Sequence, residues 1–202
     1  MINIRKVDAS ENQVIEDVVS LHIETFKGFF LSTMNRGFLK ALYKSFGEHE
    51  SSELLVAFDD EKVVGFIAYS RDTSEIYNYM LKKHFFTFGW YSFLTFLRRP
   101  SVCKKLFSAF GMSSKTKRST QYVKIFSIGV DPAYQEAGVG TMLIDELKRR
   151  MDFKRYDYIT LETDAVNNDA ANAFYLKNGF SLSETFTTKE GRVMNKYHYR
   201  VR

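Results

Sequence analysis

One stretch constrains this chain more than any other: Ile125 to Thr141, reading IFSIGVDPAYQEAGVGT. Ile125, Ser127 and Gly129 alternate with Phe126, Ile128 and Val130, the period-2 signal of a pleated strand. Asp131 and Pro132 stop that strand, because proline cannot donate to a ladder. The glycine-bearing loop Gln135–Gly140 follows, and then Val139, Met142, Leu143 and Leu147 recur on one helical face. The order is strand, turn, glycine loop, helix. The first N–H groups of a helix have no intrahelical partner, and the helix dipole is positive there. Glycines let the backbone approach a ligand closely, so this is an anion site suited to phosphate. The loop lacks the Gly-Lys-Ser/Thr of a P-loop and the spacing of GxGxxG.

The pattern Gln-x-x-Gly-x-Gly after a Val-Asp-Pro strand end resembles the pyrophosphate-binding motif of the GNAT (Gcn5-related) N-acetyltransferases. A second stretch, Asn168-Asp-Ala-Ala171-Asn-Ala-Phe174-Tyr175-Leu-Lys-Asn-Gly179-Phe180, resembles the next signature of that family and lies in the family's order. The resemblance implies an α/β fold (α+β in its segregated parts): a mixed central sheet of about seven strands flanked by helices. It also implies acetyl-CoA as acyl donor. Backbone groups of Gln135, Glu136, Ala137, Gly138, Val139, Gly140 and Thr141 would meet its pyrophosphate. The strand edge at Ile128, Gly129 and Val130 would pair with the pantetheine arm and polarise the thioester carbonyl. Gly129 suits the bulge that this strand carries in the family. Asn168, Ala171 and Phe174 complete the coenzyme side, and Tyr175 matches the tyrosine that protonates the leaving thiolate. Glu136 stands where glycine is common and Ala137 where a basic residue is common; Glu136 is expected to face solvent.

The base that frees the amine of its proton is left open among Glu162, Glu24, His22 and His84. Glu162 lies mid-strand beside the expected slot. His22 and Glu24 end the first helix near the acceptor loop, and His84 lies farther along the chain. Phe26, Phe29, Phe30 and Trp90 are the aromatic residues expected at the acceptor.

The other elements follow from pattern. Asn3–Val7 reads as an edge strand. Ser10 is the expected cap of a helix carrying Val14, Ile15, Val18, Val19 and Ile23, with Gln13 three residues on. Phe38–Phe46 is a second helix, and Leu54–Phe58 and Val63–Tyr69 are strands joined by the turn Asp59–Lys62. Tyr156–Thr163, Phe180–Thr185 and Asn195–Val201 read as strands, with a turn at Lys189–Arg192. Asn167 or Asn168 caps the helix between the first two, and Gly179 ends it.

All 202 residues read as one domain. Residues 71–121 form an insertion between the third and fourth strands, expected to hold two helices, Phe85–Leu97 and Val102–Phe110. From Ile76 to Gln121 there are nine Lys/Arg and no Asp or Glu, whereas the rest of the chain carries 20 basic and 24 acidic residues. Three readings of the insertion stay open: extra core with a solvated basic face, a lid for an anionic acceptor, or a contact with an anionic membrane surface. Nucleic acid is not expected, since no binding fold is visible. The lone Cys103 and the unclustered histidines 22, 49, 84 and 198 predict no metal. The N-terminus has no apolar signal core, which predicts a cytoplasmic protein. A homodimer is left open.

The predicted acceptor is a small, anionic molecule, an amino sugar on a nucleotide or lipid carrier. This follows from a likeness of Leu21–Leu31 and the aromatic insertion to GNAT enzymes of surface-polysaccharide pathways. The alternatives are a protein or peptide amine, or a non-catalytic coenzyme-binding or membrane-docking module.

Overall fold

The computed structural model describes residues 1–26, 34–84, 121–189 and 191–201. The two predicted helices of the insertion, its Ser/Thr/Lys-rich exit, Phe29, Phe30, Trp90 and Cys103 lie outside the described residues. So does most of the segment expected at a membrane surface.

Seven strands form one sheet: β1 (Ile2–Lys6), β2 (Ser52–Asp59), β3 (Lys62–Ser70), β4 (Tyr122–Val130), β5 (Tyr158–Asp164), β6 (Ser181–Thr187) and β7 (Val193–Tyr199). Their order is β1-β2-β3-β4-β5-β7-β6. Every pairing is antiparallel except β4 with β5. The mixed seven-stranded sheet is the predicted one.

Helices α1 (Asn12–Thr25), α2 (Arg36–Glu48) and α3 (Thr73–Lys83) pack on one face; α4 (Val139–Arg149) and α5 (Asp169–Lys177) pack on the other. β2 shows why both faces must be covered. Leu54, Val56 and Phe58 point into the α1–α2 core, while Leu55 and Ala57 point into the α4 core. A strand apolar on both sides is stable only between two layers, and each fully buried Leu or Val contributes roughly 1.5–3 kcal/mol.

Several local expectations are corrected. Ser10 does not cap α1. Its N–H donates to Asp8 Oδ1, and Glu11 occupies the cap position without a side-chain cap bond. The Glu11 carboxylate is engaged elsewhere, accepting from Arg5 of β1 at 3.0 and 2.6 Å and from the Asp8 N–H. On α4, Met142 is exposed, and Ile144 takes the buried place beside Val139, Leu143 and Leu147. β4 begins at Tyr122, three residues before the predicted start. α3 lies in the 71–121 insertion, ahead of the two helices expected there; Asp72 caps it, accepting from the N–H groups of Ser74 and Glu75. β7 starts at Val193 because the turn closes with the Thr188 N–H donating to the Arg192 carbonyl, around Gly191 at φ +82°.

Candidate active site

β4 and β5 part company. They pair only through Tyr122↔Tyr158, Val123↔Ile159 and Lys124↔Thr160. Past that point β5 stays on β7 as far as Asp164↔Met194, while β4 stays on β3 as far as Val130↔Gly65. Among the described residues, the segment Ile125–Val130 therefore keeps one neighbour and presents its other edge unpaired. Such an edge accepts an extended, amide-bearing chain as a strand accepts a strand.

The bulge that turns β4 is at Phe126, not at Gly129. Ala68 faces Ser127 and Tyr69 faces Ile125, so Phe126 is the extra residue. One consequence breaks the expected alternation: Ile125 packs into the α4 core, while Phe126 and Ser127 both turn toward α1 and α2. Gly129 is in register with Phe66. It has no side chain because a Cβ there would lie 2.7 Å from the Phe66 ring.

The loop after β4 is pinned to the β2–β3 hairpin. Lys62 pairs with Asp131 at 2.8 Å, the Asp131 N–H donates to the Val64 carbonyl, and Tyr134 Oη donates to Asp59 Oδ2 at 3.1 Å. Gly138 is the N-cap of α4 at φ +76°, and no side chain caps this end. The first N–H groups of α4, those of Val139, Gly140 and Thr141, are thus left open by the helix. A Cβ on Gly138 would meet nothing within 4 Å. Gly140 differs: its Cβ would come within 3.0 Å of the Phe174 ring. One glycine is required by the backbone and the other by a packed ring. Gln135, Glu136 and Ala137 are exposed.

α5 closes the coenzyme side. Asn168 stands at its N-cap but makes no cap bond; its Nδ2 donates to Thr163 Oγ1 at 2.7 Å and to the Asp164 carbonyl at 3.2 Å. Its Oδ1 accepts no bond among the described residues. Asn172 Nδ2 donates to the same carbonyl, and Arg192 grips the Asp164 carboxylate at 2.8 and 2.7 Å, so the end of β5 is held from three sides. Ala171 and Phe174 pack with Val130 and Ile128 on the α4 core. Tyr175 is buried among Phe174, Phe180 and Tyr197. Burial pushes its phenol above the usual tyrosine range, so it stays protonated and keeps a proton to give.

A strand with an unpaired edge, ending at an uncapped helix N-terminus, fits a donor that has an amide-bearing arm at one end and a diphosphate at the other. The model of the acetyltransferase (GNAT) family matches residues 15–180. The chain belongs to that family. Over 57 residues it is 46% identical to N-alpha-acetyltransferase RimI of Mycobacterium tuberculosis (strain ATCC 25618 / H37Rv). That match takes in 28% of this chain and 34% of the relative, about a third of its length. Two solved structures share the fold at low identity. The ribosomal-protein-S18-alanine N-acetyltransferase from Escherichia coli aligns with TM-score 0.60 at 14% identity, over 100% of this chain and 94% of its own. Arabidopsis thaliana NAA60, solved in complex with acetyl-CoA, aligns with TM-score 0.61 at 15% identity, over 100% and 99%.

In this GNAT chain the base candidates are dispersed. Glu162 lies two residues past the last β4–β5 pair, and its carboxylate accepts from Lys124 Nζ at 3.0 Å. Lys196 stands opposite it on β7 and lies 3.9 Å from Glu184 of β6, so Glu162 belongs to a ladder of alternating charge across four strands. Glu24 is exposed near the end of α1 and has no ion pair among the described residues. His84 caps the end of α3, 3.9 Å from Glu48. His22 is buried, and its Nδ1 lies 2.6 Å from Tyr43 Oη. Burial pushes its imidazole down to about 4, so it is neutral at physiological pH. Phe26 packs against His22, the rings tilted and their centroids 4.7 Å apart, and would contact a Cβ on Gly129, which puts it beside the unpaired segment. Tyr43, Ser127 and Lys124 also sit there and were not foreseen. Only Ser127 left a trace in the sequence, a hydroxyl inside an otherwise apolar strand.

Proposed function

We propose that this protein is an acetyl-CoA-dependent N-acetyltransferase whose acceptor is a protein or peptide amine. The observation that carries the reading is the unpaired Ile125–Val130 edge running into the uncapped start of α4. The choice of acceptor rests on the relative of 46% identity over 57 residues, which is an N-alpha-acetyltransferase. No comparison supports the amino-sugar acceptor expected from the insertion, so that reading gives way to the alternative held beside it.

The coenzyme supplies an activated acetyl group, and the chain does the rest by direct transfer in a ternary complex. The N–H groups of Val139, Gly140 and Thr141 hold the diphosphate, and the β4 edge and the free Asn168 Oδ1 hold the amide-bearing arm. A β4 N–H between Ile128 and Val130 donates to the carbonyl oxygen as it gains charge. Losing one such donor costs about 3 kcal/mol in comparable sites. The amine nitrogen bonds to the acetyl carbon as the carbon–sulfur bond breaks. Tyr175 gives its proton to the departing sulfur, and the amine proton leaves through water to Glu162 or Glu24.

The test is calorimetry with acetyl-CoA, then thiol release with a panel of peptides bearing free α-amines, lysine peptides and aminohexose nucleotides. Saturable binding with turnover on peptides is the expected result. Turnover confined to aminohexose nucleotides would reverse the choice of acceptor, and absence of binding would remove the enzyme reading.

A further inference from the structure

A polar chain crosses the α1–α2 core and ends, at Ser127, on the unpaired segment of β4. His22 Nδ1 lies 2.6 Å from Tyr43 Oη, and Tyr43 Oη lies 3.0 Å from Ser127 Oγ. His22 and Tyr43 are buried, while Ser127 is half-buried on the unpaired segment of β4. The bulge at Phe126 aims this serine. Without the extra residue, Ser127 would share the face of Ile125 and point into the α4 core. With it, the hydroxyl reaches the side of the sheet that carries α1, α2 and Phe26.

The polarity of the chain follows from its chemistry. A phenol is a stronger acid than a neutral imidazole N–H, and the imidazole nitrogen is the stronger base. Tyr43 therefore donates to His22 Nδ1, and its proton is committed. The Tyr43 oxygen can then only accept, and the partner it accepts from is the Ser127 hydroxyl. With its own proton directed inward, Ser127 has lone pairs left for the open side. The cost of the arrangement is visible: His22 Nε2 is buried with no hydrogen-bond partner among the described residues. A buried donor without a partner costs on the order of 1–3 kcal/mol, which packing alone does not require, since an apolar side chain would fill the place.

We propose that Ser127 accepts a hydrogen bond from an N–H of the incoming amine and turns the nitrogen lone pair toward the acyl carbon, with Tyr43 and His22 as positioning residues that fix the direction of its hydroxyl. This rests on the acyl-transfer reading and names a contact for its acceptor. The chain is a support and not a proton path. Carrying a proton to His22 would charge an imidazole that is packed against Phe26, Phe66 and Tyr43.

Three variants test it with the best amine of the panel: Ser127→Ala, Tyr43→Phe and the double variant. Tyr43→Phe keeps the ring that packs edge-on against Phe66 at 5.2 Å. Each single change is expected to lower kcat/KM for the amine about tenfold, the weight of one neutral hydrogen bond. The affinity for acetyl-CoA by calorimetry should not move, and the double variant should lose little more than either single one. A long-range proton–nitrogen spectrum of histidine-labelled protein should find Nδ1 of His22 without a proton in the wild type. Full activity toward the amine in Ser127→Ala, or a proton on Nδ1, overturns the proposal. A wild type that binds no acyl-coenzyme A overturns this proposal and the acyl-transfer reading together, whereas intact binding with full turnover in Ser127→Ala overturns this proposal alone.

Discussion

Gly138 and Gly140 lie two residues apart in one motif and are glycine for different reasons. Gly138 holds a left-handed backbone with open space around it, and Gly140 lies under the Phe174 ring. Gly138→Ala is expected to cost about 1 kcal/mol through its conformation alone. It should also weaken acetyl-CoA binding, because the loop relaxes away from the open N–H groups. Gly140→Ala is expected to cost about 1–3 kcal/mol through overpacking. Thermal unfolding and calorimetry on the two variants separate the causes. Tyr175→Phe keeps the packing and removes the transferable proton, so turnover should fall with little change in acetyl-CoA affinity. Unchanged turnover would take Tyr175 out of the mechanism.

His22 sets a pH dependence at the same scale. Its folded value near 4 lies below the ordinary 6.5, so between those limits the unfolded chain binds a proton that the folded chain refuses. Stability from this residue is complete above pH 6.5 and falls as the pH drops toward 4. Across pH 6.5 to 4.5 the expected loss is about 2–3 kcal/mol. Carboxylates act lower: Glu146, held down to about 2 by its hydrogen bonds from Arg149 and Arg150, loses its share only below about pH 4.5. Urea unfolding of the wild type and of His22→Gln at pH 7 and pH 5 checks this. The variant should lack most of the drop.

At the scale of elements, the sheet is tied shut at one end and open at the other. At the closed end Glu53 of β2 accepts from Tyr69 at 2.7 Å, from Arg71 at 2.8 Å and from Arg150 at 3.2 Å. Burial pushes its carboxyl up, but the bonds from Tyr69 and Arg71, with the Arg71 charge, outweigh burial and hold it below the usual range. Arg150 also reaches Glu146, so the end of α4 is joined to β2 and β3. Glu53→Gln should cost about 2 kcal/mol, since it leaves the largely buried Arg71 guanidinium without its charge partner and Arg150 with Glu146 alone. Acetyl-CoA affinity should be unchanged, because the Val130 end of the unpaired edge and the start of α4 that it runs into lie at the far end of β3 and β4 from Glu53. Urea unfolding and calorimetry measure the two effects independently.

At the scale of the whole molecule, a ligand in the gap between β4 and β5 would touch the elements that close both cores. Unfolding must expel it. Acetyl-CoA at about 100 times its dissociation constant should therefore add about 2.7 kcal/mol and raise the melting temperature by about 5–10 °C. Differential scanning calorimetry with and without the ligand measures this, and no shift at saturating ligand would count against the gap as the binding site.

Periodicity and punctuation made the strands, the α4 and α5 helices and the Gly138 and Gly179 turns legible in the sequence, because each depends on residues close along the chain. The family motif made Gln135–Thr141 and Asn168–Phe180 legible for the same reason. What escaped was set by distant partners. The bulge at Phe126 depends on how β3 registers with β4, and it overturned the face assigned to Ser127. The Glu11 carboxylate left its helix for Arg5 on β1. His22 is one candidate base among four by sequence, but Tyr43, 21 residues on, holds it in a buried hydrogen bond. Local chemistry thus determined that a strand ends in an anion-binding helix start. Only packing decided which way the side chains along that strand point, since register between strands is chosen by the whole sheet and a single extra residue reverses it.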